Sequence, residues 1–162
     1  MNYAGLIEND IVNGEDVCVS FFVQGCPHHC PGCFNPETWD FDGGKPIPKD
    51  LLLQIENALT ANGIKRNFSI LGGEPLCEEN LTFVYMLIRA IRKDFPDIKI
   101  YLWTGYTYEE LAKANDVRIN NIFADIDYLI DGPFIQEKKD LTLKLRGSSN
   151  QRIINMTEVH RI

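Results

Sequence analysis

Four short apolar runs, "VCVSFFV" (17–23), "FSILGG" (68–73), "IKIYLWTG" (98–105) and "IDYLIDGP" (126–133), each lead into a glycine-bearing turn. Rich in β-branched and aromatic residues, they have the composition of buried strands. Stretches of helical period alternate with them. Residues 49–62 carry leucines and isoleucine at helical spacing and stop at Asn62-Gly63; 78–95 is a long helix stopped by Pro96; 107–115 is a short one with Thr107 as cap and Glu110 three positions on. Such alternation builds βαβ units and a mainly parallel sheet. At 162 residues the chain makes one domain, 1–162, too short for a closed eight-fold barrel of ~200 residues or more. The predicted fold is α/β: a partial, open (β/α) barrel with mainly parallel strands. Asn13-Gly14 ahead of the first run predicts an N-terminal β-hairpin. Residues 40–49 read as a loop, and 141–156 as one or two further strands around a Gly-Ser-Ser-Asn turn.

In open sheets of this kind, sites form at the carboxyl ends of the strands. If the four runs are parallel neighbours, the turns after Val23, Leu71, Trp103 and Ile130 share one rim. The first of these turns is "GCPHHCPGCFN" (25–35), with Cys26, Cys30 and Cys33 in C-x3-C-x2-C spacing. Its prolines and glycines bar a regular helix, so the segment is a loop. A loop can aim three thiolates at a polynuclear centre. A [4Fe–4S] cluster normally takes four, so three would leave one iron for a ligand that is not protein. Two other readings stand beside it. Structural zinc would need a fourth ligand from His28, His29 or Cys77, and "CPGC" (30–33) could be a redox dithiol.

The compartment bears on this choice. The N-terminus has no basic segment followed by an apolar run, and no stretch reaches the ~18 apolar residues of a membrane span. A cytoplasmic chain without membrane attachment is expected. There, five cysteines, three of them clustered, point to metal or redox chemistry rather than disulfides. A formal net charge of -7 argues against nucleic-acid binding through phosphates.

The cysteine spacing followed by "GGEP" (72–75) resembles the radical S-adenosylmethionine superfamily. Together with "IVNGEDVCVSFFVQGC", "CPGCFNPETW", "LGGEPL", "DGPF" and "RGSSNQRII", it is similar to one branch, the activating proteins of anaerobic (class III) ribonucleotide reductases. The resemblance runs from about Ile11 to Ile154. It implies a [4Fe–4S] cluster on Cys26, Cys30 and Cys33, with S-adenosylmethionine chelating the open iron. Reductive cleavage would give a 5′-deoxyadenosyl radical that makes a glycyl radical on the large reductase subunit. A one-electron donor such as flavodoxin is implied too.

Gly72, Gly73 and Glu74 would hold the methionine end. The glycines allow close backbone approach, and Glu74 offers an acceptor for the ammonium. Gly32 stands where the superfamily usually has an aromatic residue, which leaves backbone contacts from Gly32, Cys33 and Phe34, with Phe34 giving apolar contact to the nucleoside. Thr104 and Asp131, by position, resemble the sites where related activases bind ribose or methionine groups, with ordinary turn and capping roles as the alternative. Trp39 and Trp103 read as packing residues, His28 and His29 as solvated loop histidines, and Cys18 and Cys77 as buried thiols that are not ligands. Arg146 and Arg152, within 146–154, are candidates for cofactor or reductase contact. The shortness of the chain disfavours a pyruvate formate-lyase type of activase. Glu74 in its "GGEP" setting disfavours a non-catalytic zinc or Fe–S interaction protein.

Overall fold

The computed structural model describes residues 1–159. Its elements, in chain order, are β1 (Asn2–Asp10), β2 (Cys18–Val23), β3 (Lys45–Pro46), α1 (Leu51–Thr60), β4 (Asn67–Gly72), α2 (Glu78–Asp94), β5 (Ile100–Trp103), α3 (Tyr108–Ala114), α4 (Val117–Asp125), β6 (Tyr128–Asp131), β7 (Arg152–Asn155) and α5 (Met156–Val159). Among the described residues the strands form one open seven-stranded sheet in the order β3-β1-β2-β4-β5-β6-β7. The four predicted runs, β2, β4, β5 and β6, pair in parallel at its centre. β1, β3 and β7 join antiparallel at the flanks. The predicted mixed fold is the one observed, with the sheet left unclosed.

The register explains the shared rim. Val23 lies opposite Gly72, and Trp103 opposite Ile130, so the central strands end level. Their apolar character follows from burial: Val19, Phe21, Phe68, Ile70, Ile100, Leu102 and Leu129 are fully buried. At about 25 cal/mol per Å² of apolar surface, this packing is the main drive for the sheet. α2 contributes Leu81, Val84, Leu87, Ile88 and Ile91, one stripe at helical spacing.

Three local expectations differ from the structure. The N-terminal hairpin forms, but its connection is the longer segment 11–17 rather than a two-residue Asn-Gly turn. Asp10 organises that connection, accepting from the Val12 N–H at 2.8 Å and the Asn13 side chain at 2.7 Å. Residues 141–145 form turns instead of a strand. Asp140 accepts from both the Thr142 N–H, at 2.9 Å, and its hydroxyl, at 2.6 Å, and such local bonds compete with a ladder.

α4 is the third difference, a helix the sequence did not announce. "VRINNIFAD" is rich in β-branched residues and asparagine, which are weak helix formers. Tertiary context overrides them. Ile119, Ile122 and Phe123 enter the core together, and Asp116 caps the helix by accepting from the Arg118 N–H at 2.8 Å.

Arg92, near the end of α2, ties this region to the sheet. Its guanidinium donates to the Asp125 carbonyl at 2.9 Å, the Ile98 carbonyl at 2.8 Å and the Asp127 carboxylate at 2.7 Å. Asp127 also accepts from the Ile100 N–H at 2.8 Å. Arg92→Ala leaves Asp127 half-satisfied and is expected to cost about 2 kcal/mol. A lower urea midpoint at unchanged slope would show it.

Candidate active site

The loop after β2 is fastened at both ends by main chain. The Gly25 N–H donates to the Thr38 carbonyl at 2.7 Å and the Cys26 N–H to the Trp39 carbonyl at 3.1 Å. Gln24 spans the same loop from beneath, donating to the Glu37 carbonyl at 2.9 Å and the Asp40 carbonyl at 2.7 Å. The Cys33 N–H closes a turn onto the Cys30 carbonyl at 3.1 Å. Cys26, Cys30 and Cys33 all line one cavity of about 150 Å³ with His28, Leu71 to Glu74, Trp103 and Thr104.

The turn after β4 packs directly under this loop. The Gly73 N–H donates to the Val23 carbonyl and the Glu74 N–H to the Gly25 carbonyl, both at 2.9 Å. Gly72 sits at φ +107°, a left-handed value that favours glycine, and a Cβ on Gly73 would run into the Gly25 carbonyl. The two glycines are therefore required by the close approach of the two turns. Asn80, buried in the first turn of α2, secures them from the side. Its amide donates to the Gln24 carbonyl at 3.2 Å and the Glu74 carbonyl at 3.0 Å.

Glu74 is the polar centre of the rim. Its side chain is 1% exposed, and each carboxylate oxygen accepts two hydrogen bonds. One takes the Thr104 hydroxyl at 2.7 Å and the Leu76 N–H at 2.9 Å. The other takes the Gly105 N–H at 2.6 Å and the His28 Nε2 at 2.8 Å. A buried carboxylate is tolerated only when satisfied in this way. The hydrogen bond to Glu74 is also what raises the His28 pKa, against partial burial. All four acceptor positions of the carboxylate are thus filled by the chain's own donors.

The predicted site residues fall into two groups. Cys26, Cys30, Cys33, Gly72, Gly73, Glu74 and Thr104 come together on the cavity. Gly32, Phe34 and Asp131 do not line it. Gly32 turns toward the Gln136 side chain at φ +78°. Phe34 packs on Phe134 at 5.1 Å between ring centres and lines an adjoining cleft of about 560 Å³ that shares Cys33, Trp103 and Gln151 with the cavity. Asp131, also buried, has both oxygens engaged. Arg152 donates to each, at 3.0 and 2.5 Å, and the Tyr108 N–H adds a bond of 2.7 Å.

Other expectations are corrected here. His28 is not a solvated loop residue, since it bridges to Glu74, whereas His29 is exposed as expected, with its ring stacked on Trp39 at 4.8 Å. Trp39 and Trp103 line the cavity rather than only packing behind it. Arg152 is spent on Asp131 and on Glu109, at 2.9 and 2.6 Å. Arg146 donates to the Lys144 and Gln151 carbonyls, both at 3.3 Å. Cys18 and Cys77 are buried as expected, and burial pushes their thiols up to about 11 and about 12.

His28 and Asn80 are the participants sequence reasoning missed. Asn80 carried a faint signal, a polar residue beside Leu81 on the apolar stripe of α2. His28 carried none that distinguishes it from its neighbour.

The donor set bears on which metal group fits. Three soft thiolates suit iron–sulfur or zinc. Thiols spread around one cavity fit a polynuclear group, with one thiolate per iron. Burial raises the Cys26 thiol to about 11, so loading must displace its proton.

Comparison with known proteins agrees with this geometry. Residues 12–154 match the family model of a 4Fe–4S single cluster domain. Over 159 residues, 98% of the chain and 99% of the relative, the chain is 40% identical to the anaerobic ribonucleoside-triphosphate reductase-activating protein of Pasteurella multocida (strain Pm70). It is 41% identical to the protein of that name from Escherichia coli (strain K12) over 152 residues, 93% and 96% of the two chains. The protein of that name from Enterobacteria phage T4 is 33% identical over 159 residues, 98% and 96% of the two chains.

Proposed function

Because the chain belongs to the family of anaerobic ribonucleoside-triphosphate reductase-activating proteins and carries a 4Fe–4S single cluster domain, we propose that it generates a glycyl radical on an anaerobic ribonucleotide reductase by reductive cleavage of S-adenosylmethionine. The observation that carries this reading is the meeting of three thiols with the Gly72–Glu74 turn on one cavity. Cys26, Cys30 and Cys33 would hold the cluster there, and the group would supply one electron, drawn from a donor of the flavodoxin kind, for cleavage of S-adenosylmethionine to methionine and a 5′-deoxyadenosyl radical. That radical would take a hydrogen atom from a glycine Cα, leaving 5′-deoxyadenosine and the glycyl radical.

The chain's residues bind, orient and exclude water. Gly72 and Gly73 bring backbone to the methionine end, where Thr104 adds a hydroxyl. Leu71, Trp39 and Trp103 give the cavity apolar walls. Glu74 acts by holding Thr104, Gly105 and His28 around that end, because its oxygens are already engaged. Asp131 supports the rim by anchoring Arg152 and the start of α3. Among the described residues no helix is long and apolar enough to cross a membrane.

The test is anaerobic reconstitution with iron and sulfide, followed by a reductant and S-adenosylmethionine. The expected products are 5′-deoxyadenosine and methionine in equal amounts, and a glycyl-radical spectrum when the reductase is added. One zinc per chain with no iron uptake and no cleavage would overturn the reading. A radical formed on a pyruvate formate-lyase, and none on the reductase, would move the chain to that other activase class.

A further inference from the structure

We propose that His28 is a positioning residue, a clasp that holds the three-thiol loop at a fixed height over the Gly72–Glu74 turn. The inference rests on the activase reading, and it concerns a residue that no motif of the family resemblance picked out.

The loop needs such a clasp. Its main-chain anchors join Gly25 and Cys26 at its start to Thr38 and Trp39 at its far end, and the Cys33 to Cys30 bond is internal to it. Pro27 and Pro31 lack N–H donors. The segment between Cys26 and Cys30 is therefore tied to the sheet chiefly through side chains. His28 reaches across to Glu74 at 2.8 Å, joining residues 46 apart in sequence. Its ring meets Tyr106 edge-on at 4.5 Å. The next residue, His29, adopts a left-handed φ of 48° and stacks on Trp39 instead. The two histidines thus brace the loop against different parts of the rim.

A second observation is independent of that bond. Gly105 does not have a left-handed φ, so that angle gives no reason for a glycine. Yet a Cβ there would come within 2.6 Å of the His28 ring. The missing side chain makes room for the imidazole. Gly105 also donates to the same Glu74 oxygen that meets His28, so three turns of the rim close on one contact.

The clasp acts on the thiols through the loop that carries them, by fixing His28 to Glu74 between Cys26 and Cys30, and so serves to orient metal ligands as outer groups do. Loss of such partners typically weakens metal holding 10–100-fold. The experiment compares the full chain with His28→Ala, His28→Gln and Gly105→Ala after anaerobic reconstitution. Iron loss to a chelator and the spectrum of the reduced cluster, with and without S-adenosylmethionine, are measured. Melting curves of the metal-free proteins report the fold.

His28→Ala should stay folded but melt below the parent, because buried Glu74 keeps only three of its four donors; it should lose iron roughly tenfold faster, and its spectrum should respond weakly to S-adenosylmethionine. His28→Gln, whose amide can still donate to Glu74, should return toward the parent on both measures. Gly105→Ala keeps the imidazole but displaces it, and should behave like His28→Ala. The inference is overturned if His28→Ala holds iron as the parent does, if glutamine restores nothing, or if Gly105→Ala is indistinguishable from the parent. A parent that takes up no iron overturns the activase reading itself.

Discussion

Replacing Cys26, Cys30 or Cys33 singly with alanine is expected to leave a folded chain that retains no [4Fe–4S] cluster and cleaves no S-adenosylmethionine above background. The three thiols line the cavity and are only partly buried. They lie in a loop held by the backbone bonds of Gly25 and Cys26, so the fold has little need of them. A cluster reduced to two protein thiolates loses a second iron ligand, and its holding energy falls with it. Cys18→Ala and Cys77→Ala should behave oppositely. Both side chains are packed into the interior at 0% and 2% exposure, and burial keeps their thiols protonated. Their loss costs packing energy, on the order of 1 kcal/mol, but no iron. Iron and sulfide content after desalting separates the two groups. Retained iron in Cys26→Ala, or lost iron in Cys77→Ala, would contradict the three-thiolate assignment.

Glu74→Ala is the second large effect, and it acts on the fold as well as on the chemistry. The substitution strips partners from the Thr104 hydroxyl, the Leu76 and Gly105 N–H groups and His28 at once. Breaking a buried charged network by removing one member costs about 3–5 kcal/mol. For a chain of this size that corresponds to a fall in melting temperature of roughly 10 °C. Glu74→Gln should recover part of the stability, because its carbonyl oxygen can still accept. Its amide nitrogen, however, must face donors. Thermal melts of the metal-free proteins, set beside their iron content, would show both effects. An unchanged melt for Glu74→Ala would mean that the four hydrogen bonds contribute little.

Much of the frame was legible because strand and helix periods are local properties. Val19, Phe21, Phe68, Ile70, Ile100, Leu102 and Leu129 give the central strands an apolar pattern that survives any change of neighbours. The rim followed from their parallel order, and with it the meeting of the cysteine loop with the Gly72–Glu74 turn. α4 was illegible for the converse reason. Its residues prefer other conformations in isolation, and only the burial of Ile119, Ile122 and Phe123 makes it a helix. The 141–145 segment erred the other way, as an alternating pattern that Asp140 and Thr142 fold into turns.

The sequence by itself determined which chemistry the chain can offer: three thiols within eight residues, in a loop that proline and glycine keep out of helix, and a glycine-glycine-glutamate turn at a strand end. Only the tertiary structure decided how those parts are joined. It gave Asp131 to Arg152, set Glu74 at the centre of four donors, and separated His28 from His29 by sending one to Glu74 and the other to Trp39. The physical reason is range. Residue type and spacing act over a few bonds, whereas a buried carboxylate is satisfied by whichever donors the fold brings to it, here from 30 and 46 residues away.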